Sequence, residues 1–157
     1  ESDIPKKLLQ KLKSIKPMEA SVKLEWNDIW MEMARMISSR SNDPTLKVGA
    51  VIVSQDNESV LAIGYNGDEK GGNNERDSEE KGESGFIHAE INAMVKMNYN
   101  DPRPRKIYLT HSPCSVCARA IVNANIQTVI YDKEYRKSTG LEILEKSGVT
   151  TINIHST

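Results

Sequence analysis

Apolar residues along the chain recur in two kinds of pattern, which predict both helices and strands. In the first third of the chain, five apolar residues recur at helical spacing and predict one face of a helix: Trp26, Ile29, Trp30, Met33 and Ile37. The turn-forming sequence Asn42-Asp43-Pro44 predicts that this helix ends near Arg40. Two continuous apolar runs follow, at residues 48–53 and 60–65, with Asp56-Asn57 between them. They predict a β-hairpin whose two strands are each covered on both faces.

The second half of the chain predicts helices and strands in alternation. Helices are indicated from His88 onward, from Pro113-Cys114 onward, and around residues 141–144, where Gly148 supplies a C-terminal cap. Short apolar runs predict strands between and after these helices, at residues 107–110, 128–131 and 149–154. A hairpin followed by three helix–strand units predicts a layered α/β domain whose second half is largely parallel.

Residues 66–85 interrupt this alternation, because they combine several glycines and many acidic residues with almost no apolar side chain. Irregular stretches of this length are uncommon inside a compact domain unless they are functional or disordered. We therefore predict either a lid over a functional site or a disordered segment, and we call residues 66–85 the acidic loop.

Residues 1–17 form a second distinct segment, in which apolar residues recur at helical spacing among lysines: Ile4, Leu8, Leu12 and Ile15. The pattern predicts a basic helical extension. It is either a small docking helix or an appended extension or expression remnant that packs on the body of the protein. The main domain then comprises residues 18–157.

Composition limits the classes of protein to which this chain can belong. Its 157 residues fit one domain, and 38% apolar with 27% charged residues fits an ordinary soluble protein. The formal net charge of -1 gives no global attraction to nucleic acid or to an anionic membrane. No apolar run is long enough to span a bilayer and no secretory signal is evident, so we expect a cytoplasmic protein.

Two short motifs contain the candidate chemistry, His88-Ala89-Glu90 and Pro113-Cys114-Ser115-Val116-Cys117, and both begin predicted helices. Cys114 and Cys117 share one face of a first helical turn, where the helix dipole favours thiolates. With the imidazole of His88 they make three ligands for tetrahedral Zn²⁺. The fourth position is left for water, as in catalytic rather than structural zinc sites. His111, three residues before Cys114, either lines the same pocket or packs at a strand end.

Glu90 is the candidate proton carrier beside this metal. Zinc lowers the pKa of bound water towards about 7, and a carboxylate can carry protons from that water to a ring nitrogen and to departing ammonia. Each residue also has an ordinary interpretation: a helix-capping His, a redox-active or structural Cys pair, and a Glu that complements a helix dipole. Together, in this order and at two helix starts, they match the H-x-E…P-C-x-x-C signature of zinc deaminases.

Over residues 30–154 the chain resembles the cytidine/deoxycytidylate deaminase superfamily, and within it the deoxycytidylate (dCMP) deaminase branch. Besides the two motifs, the resemblance rests on SRSNDP at 39–44, KVGAVIV at 47–53 and GYNG at 64–67. The zinc motifs are shared by the whole superfamily. The GYNG sequence and the strand sequence before it are more typical of the dCMP branch.

The resemblance implies a three-layer α/β/α fold with a central five-stranded mixed sheet. It implies hydrolytic deamination of dCMP to dUMP and ammonia, with Zn²⁺ as the cofactor. By position, Asn66 contacts the sugar, and Tyr135 and Arg136 approach the phosphate, for which a phenol and a guanidinium are chemically apt. The resemblance also implies a homo-oligomer, often a hexamer in this branch, that is sometimes regulated by dCTP and dTTP.

Three other functions stay open. Another small substrate, such as cytidine, dCTP or a free base, would use the same groups, although Tyr135-Arg136-Lys137 favours a nucleotide. A deaminase that edits RNA or single-stranded DNA needs a basic groove with stacking aromatic residues, which the 5% aromatic content and the acidic loop disfavour. A zinc-stabilised binding module is disfavoured by Glu90 and by the open fourth ligand position.

Overall fold

A five-stranded mixed sheet organises the computed structural model, which describes residues 5–14, 22–135 and 137–156. The sheet has the strand order β2-β1-β3-β4-β5 and comprises β1 (Gly49–Ser54), β2 (Val60–Tyr65), β3 (Arg105–His111), β4 (Ile126–Lys133) and β5 (Thr150–Asn153). β1 pairs antiparallel with β2 and β3, whereas β3–β4 and β4–β5 are parallel. The predicted hairpin and the parallel second half are both confirmed.

Four helices cover the two faces of this sheet: α2 (Trp26–Ser38), α3 (Ala89–Met94), α4 (Ser115–Asn123) and α5 (Thr139–Lys146). A further helix, α1 (Lys6–Ser14), precedes them in the chain. On one face, α2 packs through Trp30, Met31 and Ala34 against Val51 and Tyr108. On the other face, α3, α4 and α5 pack against the alternate residues of the same strands, such as Ile52, Ile107 and Val129. The expected three-layer α/β/α arrangement is therefore present.

The prediction that both hairpin strands are covered on both faces is correct for β1 and wrong for β2. Every residue of β1 is buried, because β1 lies between β2 and β3. β2 is an edge strand, and its side chains alternate between covered and open faces, with Val60 42% and Ile63 37% exposed. The continuous apolar sequence of β2 therefore predicted more burial than an edge strand has.

Two glycines allow the helices that carry the candidate site to approach their neighbours closely. A Cβ at Gly64 of β2 would lie 2.4 Å from the Ala89 carbonyl oxygen, so α3 rests directly on the strand backbone. A Cβ at Gly140 of α5 would lie 2.0 Å from the Pro113 carbonyl oxygen, just before α4. Both contacts are backbone contacts, which cannot give way as a flexible side chain can.

Helix α1 lies outside this layered core. Its described side chains, up to residue 11, are all exposed, including Leu8 and Leu9. The predicted apolar positions Ile4, Leu12 and Ile15 lie outside the residues whose side chains are described. Among the helices described here, none combines the length and the apolar character needed to cross a membrane.

Candidate metal centre and active-site cavity

The two sequence motifs meet because each one begins a helix at the same side of the sheet. His88 is the N-cap residue of α3 and Cys114 is the N-cap residue of α4, both with extended backbone angles. Helix starts predicted at His88 and at Pro113-Cys114 are therefore one or two residues early. As N-caps, the two side chains project from the ends of their helices, and Cys117 joins them from the first turn of α4.

The three candidate ligands converge on one point. The Sγ atoms of Cys114 and Cys117 lie 3.5 Å and 3.2 Å from the Nδ1 atom of His88. The ligand atoms of all three residues lie within 4.8 Å of one another. Tetrahedral Zn²⁺ with ordinary bond lengths separates a sulfur ligand from a nitrogen ligand by about 3.5 Å. The donor set and its spacing therefore fit Zn²⁺, and the described part of the chain supplies three protein ligands rather than four.

Electrostatic conditions at the pair of cysteines suit a metal site. The Cys114 sulfur accepts the backbone N–H of Cys117 at 3.4 Å. A hydrogen bond from the Cys117 thiol, with a further contribution from His88, lowers the pKa of Cys114 to about 3 against the effect of burial. The same pairing with Cys114 raises the pKa of Cys117. Cys114 is thus a thiolate at neutral pH, which is the form that binds a metal, and Cys117 loses its proton when a metal binds.

Glu90 lies beside these ligands in the first turn of α3. Its side chain is buried, with only 4% of the residue exposed, although it lines the cavity described below. Burial raises the pKa of the Glu90 carboxyl above its usual range, while His88 partly opposes this effect. The raised pKa favours the protonated form more than in an exposed glutamate, and a carboxyl accepts a proton when ionised and donates one when protonated.

A cavity of about 350 Å³ opens onto this cluster, which is within the range of small-molecule sites. Asn66, the predicted sugar contact, lies in its wall and is buried. The Asn66 side chain donates to the carbonyl of Leu46 and accepts the N–H of Val48, each at 2.8 Å. One amide N–H and one oxygen lone pair are not used by these two bonds. Asn66 therefore fixes the segment 46–48 in the cavity wall.

Of the two predicted phosphate contacts, Tyr135 and Arg136, the structure describes the position of Tyr135. Tyr135 lines the cavity, and its backbone N–H donates to the Ser112 hydroxyl at 2.6 Å. Arg136 lies outside the described residues. His111 does line the pocket, which was one of its two interpretations, and its Nδ1 lies 3.3 Å from the Thr110 hydroxyl. Burial, followed by the nearby Lys133 ammonium, lowers the pKa of His111, so its imidazole is neutral at pH 7.

The acidic loop forms part of the cavity wall, through Arg76, Glu79, Lys81, Gly82 and Ser84. Its ends are joined by two backbone hydrogen bonds between Gly67 and Ile87, at 3.0 Å and 2.9 Å. A buried ion pair joins its middle to the domain, because the Arg76 guanidinium lies 2.8 Å from the Asp43 carboxylate. The loop is therefore an ordered wall of the site. No sequence signal links Arg76 with Asp43, because they are 33 positions apart and neither zinc motif includes them.

Comparisons with known proteins agree with this geometry. The sequence profile of the family described as "Cytidine and deoxycytidylate deaminase zinc-binding region" matches residues 24–133. Deoxycytidylate deaminase of Mus musculus is 35% identical over 140 residues, which cover 81% of this chain and 78% of the mouse protein. ComE operon protein 2 of Bacillus subtilis (strain 168) is 34% identical over 135 residues, covering 82% of this chain and 70% of the bacterial protein.

A solved structure gives the same result for the fold. The dCMP deaminase of cyanophage S-TIM5, crystallised in complex with dCMP and dUMP, superposes with a TM-score of 0.72 at 34% identity. The match covers 83% of this chain and 97% of the phage protein. The profile match, the sequence identity and the shared fold all point the same way as the His88, Cys114 and Cys117 cluster. This chain belongs to the cytidine and deoxycytidylate deaminase family, whose members are zinc-dependent hydrolytic enzymes.

Proposed function

We propose that this protein converts dCMP and water into dUMP and ammonia, with Zn²⁺ held by His88, Cys114 and Cys117. One observation carries the proposal: the clustered ligand atoms of His88, Cys114 and Cys117 lie beside a cavity of small-molecule size whose wall includes the buried Glu90. Bound zinc supplies a water of lowered pKa that can act as a nucleophile at neutral pH. Relatives whose names or crystal ligands include dCMP support the choice of substrate.

Glu90 moves the protons that the reaction requires. It accepts a proton from the attacking water, donates it to the ring nitrogen of the cytosine, and then transfers the second water proton to the departing amine. The raised pKa of Glu90 suits a group that must be an acceptor in one step and a donor in the next. Because Glu90 is buried within the wall, its protons are exchanged with the substrate rather than with bulk solvent.

The other predicted contacts orient the nucleotide. Asn66 can offer its remaining amide N–H to the sugar, because its bonds to the backbone of 46–48 hold the side chain in place. Tyr135 and Arg136 follow strand β4 and are proposed to bind the phosphate. A charge-assisted contact to phosphate favours the nucleotide over the nucleoside, which presents the same base and sugar.

Ammonia release from a panel of cytosine compounds tests this proposal. The wild-type protein loaded with zinc is assayed with dCMP, CMP, dCTP, deoxycytidine and cytosine, and dCMP should give the highest kcat/KM. A higher value for another member of the panel would transfer the proposal to that substrate. Absence of ammonia from every compound would overturn it.

An editing deaminase is the less favoured second candidate. Single-stranded nucleic acid binds in basic grooves with exposed stacking aromatic residues. The cavity wall here contains the acidic residues Asp43, Glu79 and Glu134, and the chain has a net charge of -1. The same assay with a cytosine-containing oligonucleotide distinguishes this candidate from the nucleotide enzyme.

We also propose that the protein is a cytoplasmic homo-oligomer, for which a hexamer is one candidate state. Partly exposed apolar side chains on the edge strand β2, Val60 and Ile63, support self-association. A cytoplasmic location fits two thiols that must stay reduced to bind metal. Light scattering on the zinc-loaded protein measures the oligomer size, and a monomer at micromolar concentration would contradict this part of the proposal.

A further inference from the structure

We propose that Lys81 of the acidic loop binds the 5′-phosphate of the nucleotide, opposite Lys137. This inference rests on the proposed function and adds a specificity residue to it. A second cavity, of about 380 Å³, adjoins the first, and both are lined by Lys81, Gly82, Cys114 and Tyr135. A ligand whose reacting atom lies at the zinc site therefore has a continuous path into the second cavity.

The second cavity has the chemistry of an anion site. The residues that line it include Lys81 and Lys137, whose side chains end in ammonium groups, and Ser115 and Thr139, whose side chains carry hydroxyls. None of the described residues that line it is acidic. The side of the acidic loop that faces this cavity therefore presents a positive charge, in contrast to the composition of the loop as a whole.

Both lysines are available to a ligand. In residues 5–14, 22–135 and 137–156, neither Lys81 nor Lys137 takes part in an ion pair. Two unpaired cations that share a cavity repel each other, and a bound dianion removes that repulsion. Phosphate, with its charge and several acceptor oxygens, is the part of dCMP that matches this pair.

Arg76 holds the backbone that carries Lys81. Its Nε donates to the Ser78 carbonyl at 3.1 Å and its Nη2 to the Glu80 carbonyl at 3.4 Å, while its Nη1 pairs with Asp43. These bonds tie the turn immediately before Lys81 to the body of the domain. Lys81 is therefore presented by an ordered turn, which lowers the conformational entropy that phosphate binding would otherwise cost.

The test compares Lys81→Ala with Lys70→Ala, a matched exposed lysine of the same loop that lines neither cavity. Steady-state kinetics with dCMP and with deoxycytidine are measured for each zinc-loaded variant. Lys81→Ala should lower kcat/KM for dCMP about tenfold and leave that for deoxycytidine within about twofold, because only dCMP loses a partner. Lys70→Ala should resemble wild type with both substrates, and Lys81→Arg should restore most of the preference for dCMP.

Two outcomes would overturn the role of Lys81 while leaving the proposed function intact. One is an unchanged kcat/KM for dCMP in Lys81→Ala, and the other is an equal loss with dCMP and deoxycytidine. Failure of the proposed function is a different result, because wild-type protein would then release no ammonia from dCMP. A urea titration of each variant confirms that the fold is retained, which is expected since Lys81 is exposed.

Discussion

Glu90 is a buried residue whose carboxyl is proposed to carry out several proton transfers in one reaction. The Glu90→Gln variant keeps the size of the side chain and leaves no buried charge unpaired, so the fold and the zinc content should be retained. Turnover of dCMP should fall by about 10²–10⁴-fold or more, the cost of losing a positioned acid–base group. Metal analysis together with single-turnover kinetics measures both quantities. Activity within tenfold of wild type would show that another group carries the protons.

Cys114 is the second residue whose role can be isolated. In Cys114→Ala only two of the three proposed ligands remain, and the N–H of Cys117 loses its acceptor. The purified variant should contain far less than the one zinc per chain that we expect for wild type, because metal affinity depends on the complete ligand set. Elemental analysis after dialysis against a weak chelator measures this. Full zinc content in Cys114→Ala would contradict the assignment, and Ser115→Ala serves as the control beside it.

At the scale of elements, the sequence predicted site residues and helix starts well where the signal lies within a few neighbouring residues. The C-x-x-C spacing places Cys114 and Cys117 on one face of a helical turn. Their prediction as a cluster with His88 and Glu90 came from the match of the two motifs to the zinc deaminase signature. Helix α2 was predicted less well. Its fully buried residues are Met31 and Ala34, whereas the predicted apolar face included Trp26, which is 51% exposed. Ala34 is buried because Gly49 lets β1 approach the helix backbone, and apolar periodicity does not reveal that approach.

In the acidic loop, structure depends on a long-range contact rather than on a local motif. The composition of the loop predicted only that it is a lid or disordered. Its ordered conformation depends on the ion pair between Arg76 and Asp43, which the tertiary fold brings together. Asp43 is itself held by the turn before β1, where it accepts the N–H of Thr45 at 2.9 Å. Pairing over this distance leaves no periodic signal in the sequence. The candidate phosphate residue Lys81 was missed for the same reason.

The ion pair between Arg76 and Asp43 gives a prediction for this element. Arg76→Gln leaves the Asp43 carboxylate buried without a cation, which costs about 3 kcal/mol or more. Local opening of the loop relieves this cost, so the loop should become more accessible to protease before the core unfolds. Limited trypsin digestion should cleave after Lys81 faster than in wild type. The control is Arg119→Gln, an exposed arginine on α4, which should leave the cleavage rate unchanged. Equal rates in Arg76→Gln and wild type would show that the loop does not depend on this pair.

At the scale of the whole molecule, the sheet brings distant parts of the chain to one edge. β3 and β4 are parallel, and the residues just after them, Ser112 and Tyr135, are joined by a hydrogen bond. Ligands in open α/β sheets bind at the carboxyl ends of such strands. The zinc cluster and both cavities lie there, closed on the far side by the acidic loop. Residues from 43 to 140 thus build the site, and described residues outside that range contribute nothing to its wall.

The division into residues 1–17 and 18–157 leads to the last prediction. Side chains 6–11 of α1 are exposed, and none of these described side chains belongs to either buried cluster. A protein lacking residues 1–17 should therefore keep its zinc and a kcat/KM for dCMP within about twofold of the full chain. If the segment is a docking helix, its removal abolishes binding to an acidic partner surface without changing these constants, since its lysines supply the charge. The variant with Lys6, Lys7 and Lys11 replaced by Gln removes the charge and keeps the helix. It should lose binding to the acidic surface if the segment is a docking helix, and it should behave like the full chain if the segment is only an appended extension. A large loss of zinc or activity on deletion would mean that the first 17 residues belong to the catalytic domain.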